Sequence, residues 1–245
     1  SNLLMMQDQL YMFDACQRSF DKAVRTAKND DAKGAAYLNL GCMLVNKGDW
    51  AGAEPVAREA MRLKPESAKA KANLGMALLG MGRYQEGWPL YNAVIGFDKS
   101  RRKVQYAKEP AWDGSPGKRL VIYGEQGLGD EISFASMIPD AIREAKSVII
   151  DCDVKLEGLF RRSFPDATVY GTRWEKILGW NKKDTEIDAS CSIGALGQFF
   201  RPTPESCPGT PYLTPDPDRV LMWRSLFASY GKPVIGVSWT GGVPW

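Results

Sequence analysis

The sequence predicts an α + α/β chain, with helical hairpins over residues 1–97 followed by a domain built on a parallel sheet. Two observations carry that expectation. A set of residues recurs at a spacing of 34 between Tyr37 and Tyr84, and from Leu120 onward short apolar runs alternate with helix-length segments. A third observation, the complete absence of histidine, limits the chemistry either part can perform.

The repeat comes first in the chain. Tyr37-Leu-Asn-Leu-Gly-Cys-Met-Leu-Val-Asn-Lys-Gly-Asp-Trp50 aligns with Lys71-Ala-Asn-Leu-Gly-Met-Ala-Leu-Leu-Gly-Met-Gly-Arg-Tyr84. Asn39/Asn73, Leu40/Leu74, Gly41/Gly75, Gly48/Gly82 and Trp50/Tyr84 occupy matching places. Leucine beside glycine gives a knob next to a gap where a partner helix can approach closely. Gly48 and Gly82 suit the left-handed residue that ends a helix. Ala53, Ala57 and Ala60 form the small face of a second helix, which Pro65 stops. These residues resemble the tetratricopeptide repeat family over about 32–97. Residues 3–28 are helical in pattern but match the repeat poorly, as a degenerate capping repeat would. The resemblance implies a partner surface: Asn39 and Asn73 fall where asparagines of the O-GlcNAc transferase superhelix hold peptide backbone. Packing between repeats, or against the next domain, is the other reading of the same asparagines.

The α/β part begins with Leu120-Val-Ile-Tyr123, an apolar run suited to a buried strand. Glu131–Ile138 reads as a helix, Ser147–Asp151 as a strand, Val154–Ser163 as a helix and Ala167–Tyr170 as a third strand. Such alternation predicts a parallel sheet, with ligands at the carboxyl ends of its strands. Gly124-Glu-Gln-Gly-Leu-Gly-Asp130 lies at one of those ends. It is not a Walker loop, which needs GxxxxGK[ST]. As a dinucleotide fingerprint it places Ile132 where the third glycine belongs, although Asp151 and Asp153 fall near the place of a ribose-binding acid. A third reading has Gly127 and Gly129 turning the chain sharply. That turn delivers Asp130 to the strand mouth at a helix N-terminus, either as a general base or simply as a helix cap.

Composition bounds the alternatives. The 245 residues are 44% hydrophobic and 25% charged, enough for a core without metal or disulfide staples. Five cysteines, with no CxxC spacing, argue against a disulfide framework or zinc site and for a reducing compartment, the cytoplasm. Cys42 and Cys152 sit in apolar periodic contexts and are expected in the core. The net charge is only +3, and its excess falls on Lys99, Arg101, Arg102, Lys103, Lys108, Lys118 and Arg119. This stretch reads as a solvated linker or as an anion- or membrane-surface patch. It lacks the aromatic ladder that nucleic-acid binding would need. No basic, apolar leader opens the chain, and no apolar run approaches the roughly 18 residues of a membrane-spanning helix. Without histidine, Ser-His-Asp and Cys-His catalysis and histidine metal ligands are excluded from this chain.

Gly82–Tyr91, Pro110-Ala-Trp-Asp-Gly114 and Gly117–Asp130 together resemble bacterial tetratricopeptide proteins fused to a heptosyltransferase-like glycosyltransferase domain. Pro211-Tyr-Leu213, Val220-x-x-Trp-Arg224 and Val234–Gly241 continue the likeness. The resemblance implies a GT-B architecture of two Rossmann-like halves. It also implies an inverting transfer in which Asp130 of the Gly129-Asp130 pair is the base, and Glu125, Gln126, Gly127 and Gly129 line the substrate site. The corresponding organisation is repeats over 1–97, a basic linker over 98–118, the first Rossmann-like half over 119–233, and the opening strand of a second half over 234–245. A second half needs roughly 120–150 further residues on domain-size grounds. The chain is therefore expected to be a fragment or truncated reading frame that lacks most of the nucleotide-sugar site and is inactive alone. No other cofactor and no metal is expected. The strand Val234–Trp239 would pack on the first half or exchange with a neighbouring molecule. Smaller expectations are that Trp112 anchors the linker, that Asp188–Ser192 is a strand-end loop near the cleft, and that Pro202–Pro217 is an extended connection. The rival reading is a tetratricopeptide interaction scaffold without catalysis.

Overall fold

The computed structural model describes residues 13–97, 101–182 and 185–237. The chain divides into two compact units. The first runs to Lys103 and regains Gly197–Pro208; the second holds Val104–Leu196 and the chain from Gly209.

The first unit is helical: α1 (Phe13–Arg25), α2 (Asp30–Lys47), α3 (Trp50–Leu63), α4 (Ala68–Gly80) and α5 (Tyr84–Asn92). Three starts are set by side chains that satisfy otherwise orphaned backbone donors. Asn29 accepts from the Ala32 N–H at 2.8 Å, Asp49 from Gly52 at 3.0 Å and Ser67 from Ala70 at 3.2 Å. Gly48 and Gly82, one repeat apart, both adopt the left-handed region, at φ 79° and 78°. Ala53, Ala57 and Ala60 are fully or almost fully buried. Leu74 and Leu78 pack on Ala57, and Leu40 and Met43 pack on Cys16 of α1. The paired repeat glycines differ. A Cβ on Gly75 would sit 2.3 Å from the Tyr91 backbone nitrogen, whereas one on Gly41 would meet nothing nearer than Asn73 Nδ2 at 3.6 Å.

The returning segment completes this unit. A short helix, Gly197–Phe200, lies against α5. The Trp88 indole N–H donates to the Arg201 carbonyl at 2.7 Å, and Asn92 donates to Gln198 at 3.3 Å.

The second unit runs β1 (Arg119–Tyr123), α6 (Leu128–Phe134), α7 (Ile138–Glu144), β2 (Ser147–Asp151), α8 (Val154–Ser163), β3 (Thr168–Tyr170), β4 (Ala189–Ser192) and α9 (Pro217–Ala228). All pairings in the sheet are parallel and its order is β3-β2-β1-β4. The chain steps outward from β1 to β2 to β3, then returns to the other side of β1. Leu120, Ile122, Ile138, Ile150, Phe160 and Leu196 are its buried apolar core.

Four expectations change. Asp188–Ser192 is not a loop: Ala189–Ser192 is a fully buried strand paired with β1. Ala-Ser-Cys-Ser has none of the β-branched or aromatic residues that mark strands, and its pairing is decided by neighbours on both sides, β1 and the bridging residue Ala111. The basic stretch 98–118 is not one solvated linker. Arg101 is buried, its guanidinium carbon 4.1 Å from the Tyr91 ring centroid, with Nη1 donating to the Tyr91 carbonyl at 2.7 Å. From Val104 the chain belongs to the second unit, where Trp112 is buried and its backbone N–H donates to Ser190 at 2.8 Å. Pro202–Pro217 includes a turn of 3₁₀ helix at Pro204–Ser206. Finally, residues 234–237 form no strand and are exposed, while Ser238 and Trp239 of the expected strand lie outside the described residues. Of α9, no residue is buried.

No described helix is long and apolar enough to cross a membrane.

Candidate active site at the carboxyl edge of the sheet

In an open parallel sheet the crevice for a ligand forms where neighbouring connections diverge. Here that place lies between the carboxyl ends of β1 and β4, where Tyr123 pairs with Ser192. Ser192 Oγ is buried with no hydrogen-bond partner among the described residues.

β1 leads into Gly124. A Cβ at that position would fall 2.4 Å from the carboxyl carbon of Glu131, so the residue must be glycine. Glu125 is fully buried. Gln126 has φ 59°, the only left-handed non-glycine among the described residues. This corrects the expectation that Gly127 and Gly129 make the bend. Gly127 is extended, at φ −100° and ψ 175°, and Gly129 is in the first turn of α6. In this left-handed conformation Gln126 presents its carbonyl to Arg173 Nη2.

Asp130 sits at the third position of α6, partly exposed. Its Oδ2 accepts the Gly127 N–H at 2.9 Å. Oδ1 meets no donor among the described residues. The carboxylate is thus half engaged as a cap and half available.

Two residues that the motif reading missed organise this edge. Glu131 and Arg173 form a buried ion pair, with 0% and 2% of their side-chain surfaces exposed. Glu131 Oε2 also accepts the Asp153 N–H at 3.1 Å. Burial pushes the Glu131 carboxyl above its ordinary value, and Arg173 opposes that shift. Arg173 comes from the loop after β3, Gln126 from the loop after β1 and Asp153 from the loop after β2. One buried pair therefore ties three strand-end loops together. The signal for Glu131 was an acidic residue in the helix directly after Asp130. Arg173 lies in a stretch without periodicity, and only the fold brings it here.

The acids weighed for a ribose contact are both committed. Asp151 accepts from Tyr106 Oη at 2.7 Å and from Thr172 Oγ1 at 2.8 Å. Trp180, stacked on Tyr170 at 4.8 Å, donates to the same Thr172 hydroxyl. Asp153 caps α8 and accepts from the Trp174 indole at 2.9 Å. Burial raises its carboxyl pKa, but the Lys155 N–H, the Trp174 indole and Arg173 outweigh burial, and the net shift is downward. Cys152 and Cys191 are buried, and burial first, then nearby carboxylates, pushes both thiols up. Neither is a nucleophile at neutral pH. No group of three or more metal-ligating side chains occurs among the described residues.

In the helical unit, Asn73 is buried and its amide donates to the Leu38 carbonyl at 3.0 Å. That contact joins α4 to α2, which is the packing role. Asn39 is half-buried on α2. The two asparagines, equivalent in the repeat, are therefore not equivalent in surroundings.

The class defined by fold and repeat is a tetratricopeptide-type helical unit followed by a parallel α/β unit. Residues 34–64 match the tetratricopeptide repeat family model. The chain is 29% identical over 273 aligned residues to Protein FlbA of Caulobacter vibrioides, an alignment covering 89% of this chain and 45% of that protein. The chain thus spans less than half the length of that relative. It is also similar to an O-GlcNAc transferase variant of Thermobaculum terrenum, at 18% identity over 60% of this chain and 36% of that one. The TM-score is 0.29, below that of a shared fold.

Proposed function

We propose that this chain is the acceptor-side portion of an inverting, nucleotide-sugar-dependent glycosyltransferase of heptosyltransferase-like GT-B type. In this reading the second unit is the first of two Rossmann-like halves. The repeats hold a protein or peptide partner. The observation that carries the reading is Asp130, a carboxylate with one unengaged oxygen in the first turn of α6, just after the loop that follows the central strand where the sheet order reverses. The resemblance of Gly117–Asp130 to that family supports it.

In mechanism, Asp130 Oδ1 takes the proton of an acceptor hydroxyl as that oxygen attacks the donor's anomeric carbon and the nucleotide leaves from the opposite face. A positioned base of this kind contributes about 10²–10⁴-fold. The Gly127 N–H on Oδ2 fixes the carboxylate's orientation.

The test is Asp130→Asn in the whole protein. Asparagine retains an acceptor for the Gly127 N–H, so the cap and fold persist. Transfer should fall by about 10² or more, with nucleotide-sugar binding unchanged. Undiminished transfer would remove Asp130 from the mechanism.

A second reading, a non-catalytic tetratricopeptide scaffold, is favoured by one observation: Asp130 already has structural work as a cap. Intact partner binding in a protein that turns over no nucleotide-sugar would select it.

A further inference from the structure

The loop after β3 presents a fixed indole to solvent. Trp174 is 64% exposed, yet it is held at two points. Its Nε1–H donates to Asp153 Oδ2 at 2.9 Å, and the Arg173 guanidinium carbon lies 4.4 Å from a ring centroid. A large aromatic in water forgoes the burial that usually stabilises it, and holding it still costs rotamer freedom. A ring that is both exposed and immobilised is surface organised in advance for a ligand, because the ordering cost has already been met.

Its anchors are those of the Asp130 loop. Arg173 also holds the Gln126 carbonyl and Glu131, and Asp153 donates its backbone N–H to Glu131. The loop lies close on α8: a Cβ on Gly171 would fall 2.8 Å from Val154 Cα. Val154, against the start of that loop, is 63% exposed.

We propose that Trp174 is a stacking platform for a pyranose ring of the acceptor; this rests on the reading of the Asp130 loop as the acceptor side of a transferase. The C–H face of a pyranose is apolar and its rim of hydroxyls polar, which suits a flat ring bordered by the Asp153 carboxylate. A nucleobase stacks equally well on indole. A nucleotide, however, brings phosphates. Asp153 beside the ring is held in its charged form, and the Arg173 charge is already matched by Glu131. Lys155 also acts on Asp153, and the uridine comparison below separates a sugar from a nucleobase.

The experiment labels the full chain with 5-fluorotryptophan and assigns the Trp174 resonance among the eight tryptophans by its loss in Trp174→Phe. The probes are the methyl pyranosides of glucose, galactose and mannose, with uridine as the nucleobase comparison. The Trp174 resonance should move with at least one pyranoside. Affinity read by saturation transfer should fall about tenfold in Trp174→Ala, the scale of one stacking contact, and persist in Trp174→Tyr. A resonance that moves with uridine and no pyranoside, or an alanine variant that binds as the parent does, overturns the platform. Asp130→Asn separates the two readings. If that variant loses transfer while no pyranoside reaches Trp174, the platform alone fails. If a pyranoside reaches Trp174 and transfer is undiminished, the base alone fails.

Discussion

Asp188 and Arg119 meet three times at the amino end of the sheet. Arg119 Nη2 reaches Asp188 Oδ1 at 2.6 Å, while Nε and the backbone N–H reach Oδ2 at 3.0 and 2.8 Å. The Arg119 side chain first, and its backbone N–H next, draw the Asp188 carboxyl from 3.8 down to about 2. A carboxyl depressed on folding adds stability above its unfolded value and loses it as pH falls through the folded one. The stability gap between the parent and Asp188→Asn should be level at neutral pH, then close between about pH 4 and pH 2. Chemical denaturation across that range checks it; a gap that widens toward acid would contradict the assignment. The pair is partly exposed, so added salt should shrink the gap. Asp188 and Asp130 show what single residues disclose in sequence. The place of Asp130 at the start of a helix was legible because its setting is local: strand, glycines, acid, helix. The partners of Asp188, and the Arg173–Glu131 pair, join residues far apart in the chain, and no spacing rule encodes them.

At the scale of elements, the two repeat glycines make the sharpest comparison. A Cβ on Gly75 would meet the backbone of α5, which cannot give way like the end of a flexible side chain, whereas Gly41 has ordinary room. Gly75→Ala should cost about 1–3 kcal/mol by overpacking. Gly41→Ala should be neutral or stabilise by up to about 1 kcal/mol, the helix propensity of alanine over glycine. Urea unfolding of the two variants measures both; equal effects would mean the hairpins approach alike. The repeat helices with their closing glycines Gly48 and Gly82, the helix Val154–Ser163, and β1, β2 and β3 were readable because periodicity, capping glycines and apolar runs agree with the fold; α7 and α9 were not read. β4 was not. Its four residues have weak strand propensity, and its place comes from Arg119 gripping Asp188 and from β1 offering an open edge.

At the scale of the molecule, the boundary between units does not follow the linear order of the chain. The helical unit is finished by Gly197–Pro208, whose contacts fall on Trp88 and Asn92. A Cβ on Gly197 would lie 2.4 Å from the Trp88 ring. Gly197→Ala should therefore weaken the helical unit by about 1–3 kcal/mol. The loss should appear as faster amide exchange in α5 and a shifted Trp88 indole N–H resonance. Unchanged exchange in α5 would show that the returning segment adds nothing to it. Sequence patterning placed both parts of the chain but not this return, because a four-residue helix has too little periodicity to reveal its partner.

That return has a consequence for how the protein is made. On a ribosome, all four strands of the second unit have been synthesised by Ser192, before the peptide that closes the helical unit exists. The part encoded first is closed only after the strands of the second unit have been made. Until translation passes Pro208, the Trp88 face of the nascent helices stays wet, a window in which a chaperone or a stalled ribosome would meet it uncovered.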